Sequence, residues 1–355
     1  MRFVFYTNNV SPHQLPLAEE VASRVGRDGF LYVGEELEWR GKLMETSVRT
    51  LRADDAEAKE WLENADVMYT GGLRPIDLME RRAKRGLKSL YYSERWFKPV
   101  ELKVQGSGFK VPGWVRMAVP GYRKMARRFV RVANENDCVK FLPIGPWSAQ
   151  DFMKMGVRTE KMVDWGYFVS PSVAVTTPRG EDAAGTVKIL WVGRMIGLKR
   201  VETIIRAANE LKVQGLKFEV TLVGDGPEKG RLQRMARSCT SGKDSASPLE
   251  IEFLPRQPLE KVRDLMRQHD LYVFASDACE GWGVVVNEAL EEGMSVIGTF
   301  EAGASAAMLP KGRLYHAGDW RALAGLIGKE SRGELPPCSI GEWTAAKAAE
   351  RLLAI

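Results

Sequence analysis

Two periodicities alternate along the chain. Short apolar runs, RFVFYT (2–7), FLYVG (30–34), VMYTGG (67–72), KSLYYSE (88–94) and VKFLPIG (139–145), read as buried strands. Between them, apolar positions recur every three or four residues over 15–25, 55–65, 74–86, roughly 113–134 and 147–156, which predicts helices. The second half repeats the alternation more cleanly. KILWVG (188–193), FEVTLVG (218–224), IEFLP (251–255), LYVFAS (271–276), SVIG (295–298) and RLYH (313–316) are its strands. The first helix of that half carries Val201, Ile204, Ile205, Ala208 and Leu211 as one stripe, and further helices are expected at 227–238, 259–269, 303–309 and 319–330. Strands alternating with helices argue for parallel sheets covered on both faces, so the fold class is α/β.

Where the periodicity stops, the domains divide. VSPSVAVTTPRGEDAAGT (169–186) is rich in Pro, Ser, Thr and Gly and reads as a linker, best placed at 171–186. It separates a domain over 1–170 from a second over 187–335, and a last helix near 340–355 follows the break ELPPC and is expected to rejoin the first domain. SCTSGKDSASPLE (238–250) reads as a polar surface insertion.

Composition narrows the class without naming it. At 355 residues, 45% hydrophobic and 28% charged, the chain has room for two ordinary soluble domains. It has no run of 18 apolar residues, and MRFVFYTNNV enters as a strand without a signal-peptide pattern. Cys138, Cys239, Cys279 and Cys338 lack C-x-x-C spacing and read as reduced thiols, and His13, His269 and His316 are too few for a His-rich metal centre. The net charge of +6 is local: residues 1–170 hold 28 basic and 22 acidic residues, and the rest of the chain cancels.

The chemistry concentrates on strand ends of the second half. After LYVFAS the loop CEGWGVVVNE (279–288) sets Glu280 and Glu288 around Gly281, Trp282 and Gly283 where a helix begins. Amides of Gly283, Val284 and Val285 at a helix start suit a phosphate, and the two carboxylates can accept hydrogen bonds from hydroxyls. Together they suggest a sugar nucleotide. On its own the pair also fits a dipole-stabilising helix start on the surface. The other strand ends favour the ligand. Gly193, Arg194 and Lys199 follow KILWVG and supply two cations suited to a diphosphate. Gly224-Asp225-Gly226-Pro227 makes a tight turn, and Lys229 stands where the dinucleotide fingerprint G-x-G-x-x-G needs its last glycine. Arg256 and Gln257 follow IEFLP as a wall for a nucleobase.

These four motifs, VGRMIGLKR (192–200), LVGDGPE (222–228), EFLPRQP (252–258) and EGWGVVVNEALEEGMSVIG (280–298), resemble the donor domain of retaining GT-B glycosyltransferases, specifically family 4 of the bacterial surface-polysaccharide type. Glu280 and Glu288 match that family's E-x7-E pair, whereas Arg200 replaces the glycine that usually follows the lysine. The resemblance implies a GT-B fold, two Rossmann-like domains with parallel sheets facing across a cleft, and a metal-independent, retaining hexosyltransferase-type activity (EC 2.4). It implies that Arg194 and Lys199 neutralise the departing diphosphate, that Glu288 holds the ribose and that Glu280 orients the sugar, with no protein nucleophile. The expected donor is a UDP-sugar, with a GDP-sugar as the alternative, and no further cofactor or metal is expected.

In the first domain the resemblance rests on TNNVSPHQLPLAEEV (7–21) and the general layout. Asn8, Asn9, Ser11 and His13 follow the first strand and Gly71 and Gly72 end another, so they are expected on the acceptor side; His13 reads either as a contact to sugar or acceptor or as a loop histidine that stabilises local backbone. Ser93, Glu94 and Arg95 end another strand and read either as site residues or as a helix cap. Between 81 and 131 there are 15 basic residues against Glu94 and Glu101. Arg116, Arg123, Lys124, Arg127, Arg128 and Arg131 alternate there with Trp114, Tyr122 and Phe129. A cationic face with aromatic anchors suits an anionic membrane surface. Nucleic acid is the competing partner and is set aside because polysaccharide assembly uses a lipid-linked glycan acceptor. The resulting expectation is a cytoplasmic enzyme of polysaccharide or lipopolysaccharide biosynthesis, peripheral on the inner face of the cell membrane. A GT-B sugar-nucleotide epimerase and a non-catalytic sugar-nucleotide-binding protein are the alternatives; an NAD-dependent oxidoreductase is disfavoured by the missing fingerprint.

Overall fold

The computed structural model describes residues 1–39, 41–104, 107–170, 186–214, 216–240 and 250–355. The expected linker therefore lies outside the described residues except for Thr186, and so does the insertion beyond Thr240 up to Glu250. The chain divides into two compact units, Met1–Ser170 with Glu342–Ile355, and Pro171–Gly341.

The first unit is built from β1 (Phe3–Asn9), α1 (Leu15–Val25), β2 (Phe30–Glu36), a small antiparallel pair β3 (Glu38–Trp39) and β4 (Lys42–Leu43), β5 (Thr50–Arg52), α2 (Ala56–Asn64), β6 (Val67–Gly71), α3 (Ile76–Lys84) and β7 (Lys88–Ser93). An antiparallel hairpin, β8 (Val100–Val104) and β9 (Ser107–Val111), then precedes α4 (Pro120–Glu135), β10 (Val139–Pro143) and α5 (Pro146–Met155). Its six-stranded sheet runs β10-β7-β6-β1-β2-β5, all parallel. The helix expected across 113–134 is broken, because Pro112 and Pro120 confine residues Gly113–Ala118 to a 3-10 turn and α4 begins afresh with Pro120 in its first turn. Strand β5 and both hairpins escaped the pattern; β3, β4 and β5 are only two or three residues long and lack a buried run.

The second unit contains β11 (Val187–Val192), α6 (Val201–Val213), β12 (Phe218–Val223), α7 (Lys229–Thr240), β13 (Glu250–Leu254), α8 (Leu259–Gln268), β14 (Leu271–Phe274), α9 (Val285–Glu291), β15 (Ser295–Thr299), α10 (Gly303–Met308), β16 (Leu314–Tyr315) and α11 (Trp320–Glu330). Its sheet runs β13-β12-β11-β14-β15-β16, again all parallel. Numbered within each unit, both sheets have the order 3-2-1-4-5-6 of the dinucleotide-binding fold, with the direction of winding reversed beside the first strand. The central strands are apolar on both faces because helices cover both, as in β14, where every residue is buried.

The C-terminal helix α12 (Ala345–Ala354) belongs to the first unit. Val169 bridges to Thr344, and the Arg351 guanidinium lies 5.4 Å from the Trp165 ring and 5.7 Å from that of Trp343. Among the described residues no helix is long and apolar enough to cross a membrane.

Candidate functional site

In a sheet of this order, ligands bind beyond the carboxyl ends of the strands at the point where the winding reverses. In the second unit that point lies between β11 and β14, and the ladder opens there. The two strands pair only at Ile189–Leu271 and Leu190–Tyr272, whereas β11 stays paired with β12 through Val192–Val223. The Tyr272 hydroxyl spans the opening, donating to the Val192 carbonyl at 3.1 Å and accepting from its amide at 3.4 Å. The ends of β11 and β14 thus part without leaving the Val192 backbone unpaired.

The loop after β11 is locked to the turn after β12. Gly193 donates to Val223 O at 3.0 Å and Gly224 to Leu254 O at 3.0 Å, while Met195 donates to Asp225 O at 2.9 Å. Gly224 has φ +139°, and a Cβ there would sit 1.9 Å from Gly193 O; one at Gly226 would sit 2.3 Å from Met195 O. Backbone packs on backbone, which is why the turn is G-D-G. The Asp225 side chain also accepts from the Arg256 amide at 2.9 Å and from Lys229 Nζ at 2.6 Å, so it ties the turn after β12 to the end of β13 and to the start of α7. Hydrogen bonds from these two donors hold its carboxyl below the usual value.

Beyond β11 the chain makes a 3-10 turn, Gly197–Lys199, that ends on Arg200 in the left-handed region at φ +49°. The turn brings Lys199 Nζ onto Glu280 Oε2, with the ammonium 5.8 Å from the centre of the Phe274 ring. Asp277 organises the approach. Its amide donates to Leu198 O at 2.8 Å, its Oδ1 accepts from the Cys279 amide at 2.9 Å, its carbonyl accepts from the Glu280 amide at 2.9 Å, and Arg200 Nε lies 3.6 Å from its Oδ2. Asp277 and Arg200 belong to this cluster of contacts and the motif reading passed over them; the D-x-C-E turn, with an aspartate two residues before an amide it caps, was the available signal for Asp277.

Gly281 and Trp282 are buried under α10, with Ala304 donating to Trp282 O at 3.0 Å, and Trp282 Nε1 donates to Asn287 Oδ1 at 2.8 Å. Gly283 has φ +98° and its missing Cβ would lie 2.2 Å from Phe274 Cζ. The backbone is thereby pressed onto the ring that Lys199 faces. Val284 and Val285, both half-buried, open α9. Glu288, in the first turn, accepts no side-chain hydrogen bond among the described residues, and burial pushes its carboxyl above the ordinary value, opposed by Arg263. Arg194 and Arg256 are exposed beside this cluster on their own loops. The structure therefore brings Lys199 directly to Glu280 and Gly193 to Gly224, and sets Glu288 one turn into the helix that follows.

The corresponding point of the first unit lies between β1 and β6, and there the ladder stays closed from Phe3–Val67 to Thr7–Gly71. Asn8 is exposed and Asn9 half-buried at the end of β1. Ser11 is buried and its carbonyl accepts from the amides of Gln14 (3.0 Å) and Leu15 (3.1 Å), starting α1. His13 packs between Trp39 and Tyr167, with ring centres 5.5 and 5.8 Å away. Gly72 is exposed, and its Cβ position is 2.6 Å from Asn8 Oδ1. Gly71 is buried, and its glycine is explained by the Tyr92 ring, 2.5 Å from where a Cβ would be. Ser93, Glu94 and Arg95 cap no helix: Glu94 accepts from Tyr167 Oη at 3.1 Å and pairs with Lys98, and Arg95 lies 3.5 Å from the buried Asp151.

The cationic face is narrower than the sequence suggests. Arg128 pairs with Asp77 and Glu80 at 2.6 Å each, Arg131 with Glu80 at 3.3 Å and Arg81 with Glu63 at 2.6 Å. Arg82 is buried, donating to the carbonyls of Leu62, Ala65 and Lys88. Acids supplied by α2 and α3 thus neutralise part of the run. Arg123, Lys124 and Arg127 remain along an open concavity of about 810 Å³, and Trp114, Val115 and Val119 are exposed nearby in sequence.

Comparison with known proteins agrees with this geometry. Residues 179–330 match the family model described as glycosyl transferases group 1, a span that contains every strand of the second sheet. D-inositol 3-phosphate glycosyltransferase of Nocardia farcinica is 31% identical over 160 residues, 42% of this chain and 35% of that protein. The matches to curated relatives span 26–39% of those proteins' lengths. Among solved structures, the lipopolysaccharide outer core galactosyltransferase WaaB superposes with a TM-score of 0.69 at 14% identity, over 99% of this chain and 98% of the other. HepE of Anabaena, in complex with UDP, gives 0.60 at 16% identity over 100% and 95%. The fold is GT-B.

Proposed function

We propose that this chain is a retaining glycosyltransferase that moves a sugar from a UDP-sugar to a glycan or lipid-linked glycan acceptor in polysaccharide or lipopolysaccharide synthesis. The observation that carries the reading is the Lys199–Glu280 contact at the open end of the β11–β14 ladder, with Arg194 on one adjoining loop and Glu288 on the other. In this reading the second unit binds the donor. Arg194 and Lys199 meet the diphosphate, taking up the charge that develops on the leaving group, and preorganised charge of this kind is often the largest contribution to transfer chemistry. The amides of Gly283, Val284 and Val285 add to it. Glu288 accepts hydrogen bonds from the ribose, and Glu280, positioned by Asp277 and Lys199, orients the sugar. The first unit supplies the acceptor side through Asn8, Asn9, His13 and Gly72. The names of the similar proteins, which include glycosyltransferases and a UDP complex, support the same class.

The test is a thermal-shift screen against UDP-, GDP- and ADP-sugars, followed by assay of the released nucleoside diphosphate. Stabilisation by UDP-sugars is expected; no stabilisation by any of the three would sink the donor assignment. We also assign Arg123, Lys124, Arg127 and the exposed Trp114 to an anionic membrane surface, at roughly 1 kcal/mol for each basic residue near it. Charge reversal at Arg123 and Arg127, which spares the paired Arg128, should reduce sedimentation with phosphatidylglycerol vesicles. Equal sedimentation removes the membrane from the reading.

A further inference from the structure

Beyond the carboxyl ends of β6 and β7, the first unit holds a cavity of about 260 Å³ whose lining includes Arg74, Arg95, Lys98 and Arg116 against a single acid, Glu94. That imbalance is not dispersed over a flexible surface. The Arg74 guanidinium lies 4.9 Å from the centre of the Trp96 ring and 5.4 Å from that of Tyr122, so two aromatic faces hold it in place. Trp96 is itself fixed by donation from its Nε1 to Ser93 Oγ at 3.1 Å, and Tyr122 by donation to Trp96 O at 3.3 Å. Arg116 lies within hydrogen-bonding reach of the Tyr122 hydroxyl. Among the described residues neither Arg74 nor Arg116 has a carboxylate partner. Glu94, by contrast, is engaged by both Tyr167 and Lys98, and Asp151 by Arg95 and the Phe97 amide.

Two guanidinium groups without a carboxylate partner among the described residues, lining a cavity that other cations also line, are arranged for an anion with oxygen acceptors in a plane or a trigonal face. The volume is that of one sugar-sized group, well below what a nucleotide sugar needs. Tyr91, Tyr92 and Trp96, all nearly buried, give the cavity a rigid apolar wall beside the cations. We infer that this cavity is a subsite for an acceptor sugar that carries an anionic group, a phosphate ester or a carboxylate, with Arg74 and Arg116 as the residues that read the charge. The inference rests on the proposed transferase reading for the word acceptor, but the binding it predicts does not depend on the donor site.

The test uses the full chain and calorimetric titration with glucose, glucose 6-phosphate and glucuronate, with UDP titrated in parallel. Each anionic sugar should bind about tenfold or more tightly than glucose, the size of a charged hydrogen bond. The gap should shrink as salt is raised, because the guanidinium groups are partly exposed. The double variant Arg74→Gln/Arg116→Gln should lose the preference while retaining the parent's affinity for UDP. Whichever of glucose 6-phosphate and glucuronate binds more tightly identifies the anion. Equal binding of glucose and both derivatives, or a preference that survives the double variant, overturns the subsite. Loss of UDP binding in the parent with the anion preference intact would instead overturn the donor assignment and leave the subsite standing.

Discussion

The two units share a strand order and differ at the one place where that order matters. In the first, β1 and β6 remain zipped to Thr7–Gly71, and the space above is filled by rings: Tyr69 stacks on Tyr92 at 4.7 Å and receives a hydrogen bond from Trp165 Nε1 at 3.0 Å. In the second, β11 and β14 separate after Leu190–Tyr272, and the loops above are backbone packed on backbone, with charged side chains projecting from them. A closed, aromatic end offers shape and a few polar groups at its rim. An open end with interlocked loops offers fixed amides and cations, which is what a diphosphate requires. The same scaffold therefore yields two different kinds of strand end, and the difference lies in what fills the reversal point.

Glycine substitutions are the most direct way to break this comparison. At Gly224 a Cβ would meet the Gly193 carbonyl at 1.9 Å with φ at +139°, so neither the neighbour nor the backbone can give. Gly224→Ala is expected to cost about 4 kcal/mol or more and to abolish UDP binding. At Gly71 the obstacle is the Tyr92 ring at 2.5 Å, a side chain that can shift, so Gly71→Ala should cost about 1–3 kcal/mol. Denaturant unfolding measures both. Equal costs would mean that the loops of the second unit are not locked as described.

This contrast also explains what could be read without a structure. The second half was legible because its requirements are stated in residue type: Gly224 and Gly283 each have a position no other residue fits, and Lys199 and Glu280 lie at the ends of runs whose period is unmistakable. The α/β class and the paired Rossmann-like units followed from the same alternation. Asp277 and Arg200 were missed because what joins them to the cluster, the Asp277 amide on Leu198 O and the Arg200 guanidinium beside the Asp277 carboxylate, is made by folding across loops. In the first unit, Gly71 read like a ligand-approach glycine although Tyr92 accounts for it, since a ring on the neighbouring strand leaves no trace at position 71. The pairing of Arg128 with Asp77 and Glu80 was hidden for the same reason, the acids arriving from α3. Sequence reports backbone constraint well and side-chain partnership across elements poorly.

The charged end of the comparison is sharpened by Lys199. Its ammonium contacts Glu280 and faces the Phe274 ring, and its side chain is only 20% exposed. Lys199→Met keeps the stem and removes the charge. Turnover should fall about 10²–10³-fold, the usual cost of removing one preorganised donor to a developing anion, with a smaller change in the affinity for donor sugar. Steady-state kinetics on release of UDP checks it. A variant with turnover within a few-fold of the parent would reduce Lys199 to the structural partner of Glu280. The equivalent loss of charge in the closed unit, at Arg74, should leave UDP affinity untouched.

The smallest effect expected is also the one with two opposite signs. Burial raises the Glu288 carboxyl above its ordinary value, so the folded state binds its proton more tightly than the unfolded chain does. Linkage then fixes the direction. The contribution of this group favours folding when the pH is below the unfolded value, and it is lost as pH rises through the folded one, leaving a charge that the fold only partly compensates. Glu288→Gln removes that charge. Without ligand the variant should melt higher than the parent near neutral pH, and the advantage should vanish as the pH is lowered below about 4, where the parent carboxyl is protonated in both states. With UDP the order should reverse, because the parent loses an acceptor for the ribose hydroxyls on substitution and binding weakens by about tenfold. Thermal melts over that pH range, with and without UDP, read both signs in one series. If the variant gains stability but keeps the parent's UDP affinity, Glu288 is merely an awkwardly buried acid, and the nucleotide must be held by the glycine loops and the cations alone.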